Sequence, residues 1–167
     1  MIGSISLKSW LDELKNGRRF WLPVVFNIIG EIIAFGIGMI LSAMLPNLDD
    51  GLNVFKLTGW ISLIAFIITT ILLPSIAEES FYRKGIINFN SKTSLIFSSI
   101  IGIILYASEH SLKPLGLLIS AIWAIPFTIT YIRTKNIYIP MTAHFICNFA
   151  ANGMTAVIMA AKMLKIL

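Results

Sequence analysis

The sequence predicts an all-α fold, a polytopic membrane bundle of about five to six helices behind a short interfacial N-terminal helix. Three observations carry that prediction. Apolar residues make up 57% of the 167 and charged residues only 13%, and the mean hydropathy is +0.86. Long apolar runs recur, most of them near the roughly 20 residues that cross a hydrocarbon layer. The charges gather in short stretches between those runs. A soluble domain of this length needs far more polar surface. The chain divides into residues 1–19, an interfacial segment, and residues 20–167, one membrane-embedded helical domain.

In residues 1–19, Leu7, Trp10, Leu11 and Leu14 recur at helical spacing, with Lys8, Asp12, Glu13 and Lys15 between them. That pattern suits an amphipathic helix lying in the interface; a frayed polar tail is the plain alternative. The apolar run behind it is too long for a signal peptide and lacks a cleavage site. The first span is expected over Phe20–Leu45. The second runs from Leu57 into Glu78 and Glu79, continuing as helix through Asn88. The third, Ser94–Ala107, is short, at about 14 residues. The fourth covers Leu115–Ile132 and the fifth Ile137–Ala161. Trp21, Trp60, Tyr131 and Tyr138 fall near span ends, where amphipathic rings collect.

Lysine and arginine flank alternate connections. Lys15, Arg18 and Arg19 precede the first span, Arg83, Lys84 and Lys92 follow the second, and Arg133 and Lys135 follow the fourth. The stretch Pro46–Lys56 instead carries Asp49 and Asp50. The basic connections therefore share one side, expected to be the cytoplasm, with the N-terminus inside a multi-pass cell-membrane protein. Lys162 and Lys165 break the pattern and would suit a bend or a sixth short segment. The net charge of +5 thus reads as loop charge. It forms no basic stripe, and nucleic acid is not an expected partner. Cys147 is the single cysteine, which excludes an internal disulfide and a cysteine-based metal cluster.

Ionisable groups in apolar spans are costly, about 2.5–3.5 kcal/mol each. Those in or beside the spans are Glu31, Glu78, Glu79, Arg83, Glu109, His110 and His144, with the amide Asn148. Glu79 and Arg83 are four apart and can pair on one helix face. Glu78 is turned about 100° from Glu79, so the two acids cannot serve Arg83 equally. One is neutralised and structural while the other stays free, unless both simply snorkel into the basic loop. Pro140 suits a first helical turn and puts His144 and Asn148 on one face. His110 closes the third span. Glu31, one turn after Asn27, suits a hydrogen bond to a neighbouring helix. A helix through Asn88 leaves Glu78 and His110 mismatched in depth by about 12 Å, the weakest joint of this geometry.

Glu78-Glu79-x-x-x-Arg83, Tyr106-x-x-x-His110 and His144-x-x-x-Asn148 occur in that order. Together they resemble the EExxxR, FxxxH and HxxxN or HxxxD motifs of the CAAX protease and bacteriocin-processing (CPBP, Abi) family of intramembrane endopeptidases. The resemblance covers about residues 74–150. Tyr106 stands where the family usually has phenylalanine, and Lys84 separates Arg83 from Gly85. The resemblance implies that Glu78 is general base to a water that His110 also holds. His144 and Asn148 would then donate to the oxyanion, and Glu79, Arg83 and Tyr106 would support the site. A poorly solvated carboxylate suits a base, and aimed donors suit a developing oxyanion. No cofactor is expected; a zinc ion held by the histidines and a glutamate is the alternative, although HExxH is absent.

The function expected on this basis is peptide-bond hydrolysis in the membrane, in bacteriocin processing or self-immunity. The partners are a peptide or protein substrate and the lipid bilayer, and the sequence is silent on oligomeric state. The alternative is a non-catalytic immunity protein that engages a peptide or its receptor. No nucleophile elbow and no pair of intramembrane aspartates offers other chemistry, and the sequence repeats of a transporter are not visible.

Overall fold

The computed structural model describes residues 5–51 and 58–165. Six helices and no strands occur among them: α1 Leu7–Glu13, α2 Arg18–Met44, α3 Trp60–Gly85, α4 Lys92–His110, α5 Pro114–Thr134 and α6 Tyr138–Met163. The last five are long and apolar enough to cross a membrane. The large apolar side chains they leave exposed, among them Phe26, Ile32, Ile61, Phe97 and Val157, are what a lipid-facing surface requires. Leu57, the expected start of the second span, and Lys56 lie outside the described residues.

α1 begins at Ser6, whose hydroxyl accepts from the Ser9 amide at 3.1 Å, an N-cap. It docks on α6 instead of fraying. Trp10 Nε1 donates to Thr142 Oγ1 at 2.8 Å, the Ser6 amide donates to the Tyr138 hydroxyl at 3.2 Å, and Asn136 Nδ2 donates to Glu13 at 2.7 Å. Trp10 and Leu14 pack inward, whereas Leu7 and Leu11 stay exposed. Replacing Trp10 by phenylalanine removes the indole bond and is expected to weaken docking by about 1 kcal/mol. Faster limited proteolysis before Gly17, with the bundle otherwise resistant, would show it.

α3 is a composite helix. α-Helical segments Trp60–Ile67 and Leu73–Glu78 alternate with π-helical turns at Ile68–Leu72 and Glu79–Gly85. Pro74 has no amide to give to the preceding turn, which accounts for the first widening. Thr69 and Thr70 hydroxyls bond the carbonyls of Ala65 and Phe66 there. The second π turn carries Glu79 and Arg83. α3 ends at Gly85, short of the expected Asn88, because glycine is a weak helix former. Asn88 instead accepts from the Asn90 amide in a turn that leads to Ser91, the N-cap of α4.

The crossing of α3 and α4 narrows the depth mismatch to about 6 Å, since His110 lies eight residues past Gly102 and Glu78 four before Tyr82. Ile86–Ser91 is not continuous helix, and the Asn88 amide donates to Ser98 Oγ at 2.9 Å, which levels the connection with the second turn of α4. The two helices then cross at Gly102, where a Cβ would lie 2.7 Å from the Tyr82 carbonyl oxygen. α4 is also longer than expected, at 19 residues, because polar Lys92 and Thr93 extend it behind the cap and Ser108–His110 complete its last turn. Gly102→Val is expected to force the helices apart and cost about 1–3 kcal/mol, read as a lower melting temperature in detergent.

α5 is the most buried of the five long helices. Phe20 and Val24 of α2, Phe127 of α5, and Ile139 and Ala143 of α6 form one cluster of the core. At Gly30, α2 meets α5 so closely that a Cβ would lie 2.9 Å from Pro126 Cβ. The chain ends segregate by charge. α1, Lys84, Lys135 and Asn136 share one end, and at the other Lys113 pairs with Asp49 at 3.5 Å while Ser111 bonds the Asp50 carbonyl at 2.6 Å. α6 runs without a break to Met163, so no sixth segment accounts for Lys162 and Lys165 among the described residues.

Candidate active site

The second π turn, α4, α5 and α6 converge on Arg83. Its Nη1 lies 3.2 Å from Glu79 Oε1, and the two side chains are 1% and 0% exposed. Nη2 donates to the Ala124 carbonyl of α5 at 3.3 Å. The guanidinium is sandwiched between Tyr106, 4.6 Å from its centroid, and Phe127 at 5.3 Å. A planar, weakly hydrated cation suits such a slot better than an ammonium would.

The same Glu79 oxygen accepts from His144 Nδ1 at 2.9 Å. That bond sets the proton on Nδ1 and turns Nε2 toward Glu78, whose Oε2 lies 3.9 Å away. The two neighbouring acids therefore differ as the helical-face argument expected. Glu79 is fully buried and held by both Arg83 and His144. Glu78 forms no salt bridge with Arg83, its side chain is 12% exposed, and its Oε2 makes no hydrogen bond.

His110 joins the group through rings. It stacks on Tyr106 with centroids 4.3 Å apart, and its Nδ1 bonds the Tyr106 carbonyl at 2.9 Å. Phe127 stacks on His144 at 4.6 Å. A continuous column thus runs His110, Tyr106, Arg83, Phe127, His144, with each histidine anchored at Nδ1. Of the seven residues singled out in the sequence, Glu78, Glu79, Arg83 and His144 meet directly. Tyr106 and His110 extend the group through the stack. Asn148 stands one turn beyond His144, half-buried, and makes no side-chain hydrogen bond to any of them.

Two residues that the motifs do not mark belong here. The Tyr82 hydroxyl donates to Glu109, and the Tyr82 ring meets Tyr106 edge to face at 5.7 Å. Tyr82 follows Glu78 by four positions, the spacing that could have found it, while Glu109, already among the ionisable groups beside the spans, precedes His110. Glu31 behaves otherwise than expected: its Oε1 is buried without a partner, and Asn27 makes the interhelical bond instead, to the Pro126 carbonyl at 3.4 Å. Among the described residues no three His, Cys, Asp or Glu side chains converge to hold a metal ion.

A family model described as "Type II CAAX prenyl endopeptidase Rce1-like" matches residues 60–150, more than half of the chain, and takes in α3, α4, α5 and the first half of α6. No curated protein and no solved structure shows a significant match.

Proposed function

The chain belongs to the type II CAAX prenyl endopeptidase Rce1-like family, and from that premise we propose that it hydrolyses peptide bonds in the membrane with Glu78 as general base. The observation that carries this reading is the inequality of the two acids. Glu79 Oε1 is held by both Arg83 and His144, whereas Glu78 makes no hydrogen bond and no pair with Arg83 and places Oε2 3.9 Å from His144 Nε2. That separation is too long for a direct bond and suits a water about 2.8 Å from each.

In this mechanism Glu78 takes a proton from the water as its oxygen bonds to the peptide carbonyl carbon. His144 Nε2, left without a proton because Nδ1 donates to Glu79, accepts a hydrogen bond from the water's other O–H and fixes the direction of attack, in place of the oxyanion donation that the resemblance implies for it. The Asn148 amide, which has no side-chain hydrogen-bond partner among the described residues, donates to the oxyanion. His110, held at Nδ1, keeps Nε2 for the reacting groups. When the tetrahedral species collapses, Glu78 returns its proton to the leaving amine. Glu79, Arg83 and Tyr106 hold His144 and His110 in place and do not react.

The basic end of the bundle faces the cytoplasm in this reading, with the N-terminus inside. Two substrate classes follow from the resemblance: a prenylated C-terminal peptide and an unmodified bacteriocin-type peptide, the latter linking the protein to processing or self-immunity. Purified protein in nanodiscs, given one peptide in prenylated and unprenylated forms, tests both by the masses of the fragments. Cleavage of either supports hydrolysis and names the class. Retention of a peptide without fragments would replace hydrolysis by a binding role.

A further inference from the structure

Glu109 is an acid in the last turn of α4 that remains exposed. Lysine and arginine of this chain leave it alone: no ion pair to it forms among the described residues. Its one partner is the Tyr82 hydroxyl, and the Tyr82 ring is itself fixed against Tyr106. The carboxylate is therefore aimed by the structure but not neutralised by it. An uncompensated acid on an apolar span is costly, and such groups usually face a polar path or a ligand. Its place is specific. His110 is the next residue, Tyr82 is one turn from Glu78 on α3, and Glu78 and Glu109 are close enough to repel each other.

We propose that Glu109 is a substrate-selecting residue, whose carboxylate pairs with a lysine or arginine side chain of the peptide beside the scissile bond. The proposal rests on the peptidase reading and adds a substrate class to it. A cation seated there relieves the repulsion between Glu109 and Glu78 and replaces the protein counter-ion that Glu109 lacks. The Tyr82 ring, edge to face with Tyr106 and bonded through its hydroxyl to Glu109, supplies an aromatic neighbour that favours a cationic side chain over a neutral polar one.

The test uses the full chain in nanodiscs and a peptide set identical except for one position near the scissile bond, occupied by lysine, norleucine or glutamate. Wild type is expected to cleave the lysine peptide with kcat/KM about tenfold above the norleucine peptide. Glu109→Gln should bring the lysine peptide down to the norleucine rate, and Glu109→Lys should make the glutamate peptide the preferred one. A lysine preference that survives Glu109→Gln, or equal losses on all three peptides, would overturn the proposal. The same peptides are titrated onto the Glu78→Gln protein by fluorescence anisotropy. If nothing is cleaved but lysine-selective binding depends on Glu109, the selecting role stands and the peptidase reading falls. Cleavage without any charge preference gives the reverse, and neither binding nor cleavage removes both.

Discussion

Arg83→Leu is expected to destabilise the protein by about 3–5 kcal/mol, the largest effect on folding of any single substitution at the site. The reason is the company Arg83 keeps. Its side chain is 1% exposed and its partner Glu79 is 0% exposed, so removing the cation strands a carboxylate with no access to water. The two rings that enclose the guanidinium lose their filling at the same time. Arg83→Lys should rescue little, because an ammonium neither stacks in the slot nor reaches the Ala124 carbonyl in the same geometry. Pairing Arg83→Met with Glu79→Gln should recover most of the loss, since it removes both charges together. Melting temperature and yield in mild detergent measure all of these. A double variant no better than Arg83→Leu would contradict the assignment of Glu79 as the arginine's partner.

Glu78→Gln is expected to do the opposite, lowering the cleavage rate by a factor of about 10³ while leaving the melting temperature nearly unchanged. Glutamine has almost the same shape, and Glu78 makes no ion pair with Arg83 that the change could break. Its unpartnered Oε2 means that no hydrogen bond is lost either. Glu79→Gln should instead reduce stability and activity together, because it loosens Arg83 and releases His144 Nδ1 from its 2.9 Å contact. The crossed pattern, folded but inactive at one position and unfolded at its neighbour, is the signature of two adjacent acids with different work.

Much of this was legible in the residues. Apolar runs placed the long helices within a few positions of their observed ends, since length and hydropathy decide spans in a membrane. The i,i+4 spacing of Glu79 and Arg83 survives even inside a π turn. Three things were not legible. The bond from Glu79 to His144 joins residues 65 apart in sequence, and no local spacing encodes it. The stacked column from His110 to His144 depends on Phe127, an apolar residue indistinguishable from its lipid-facing neighbours until α5 is placed. The depth of His110 follows from where α4 crosses α3, at Gly102 against the Tyr82 carbonyl, which no local spacing encodes. Gly85 ends that helix, and Gly102, with no side chain to clash, sets where α4 crosses it.

The central claim is that Glu78 activates water against a peptide bond. The most direct measurement is single-turnover cleavage in ¹⁸O-labelled water, with the fragments read by mass spectrometry for wild type and Glu78→Gln at equal concentrations of folded protein. The account predicts one heavy oxygen in the new carboxyl group of the wild-type product and no product from Glu78→Gln on the same timescale. Equal product from both proteins would contradict it, as would a peptide that the folded wild type binds and never cuts.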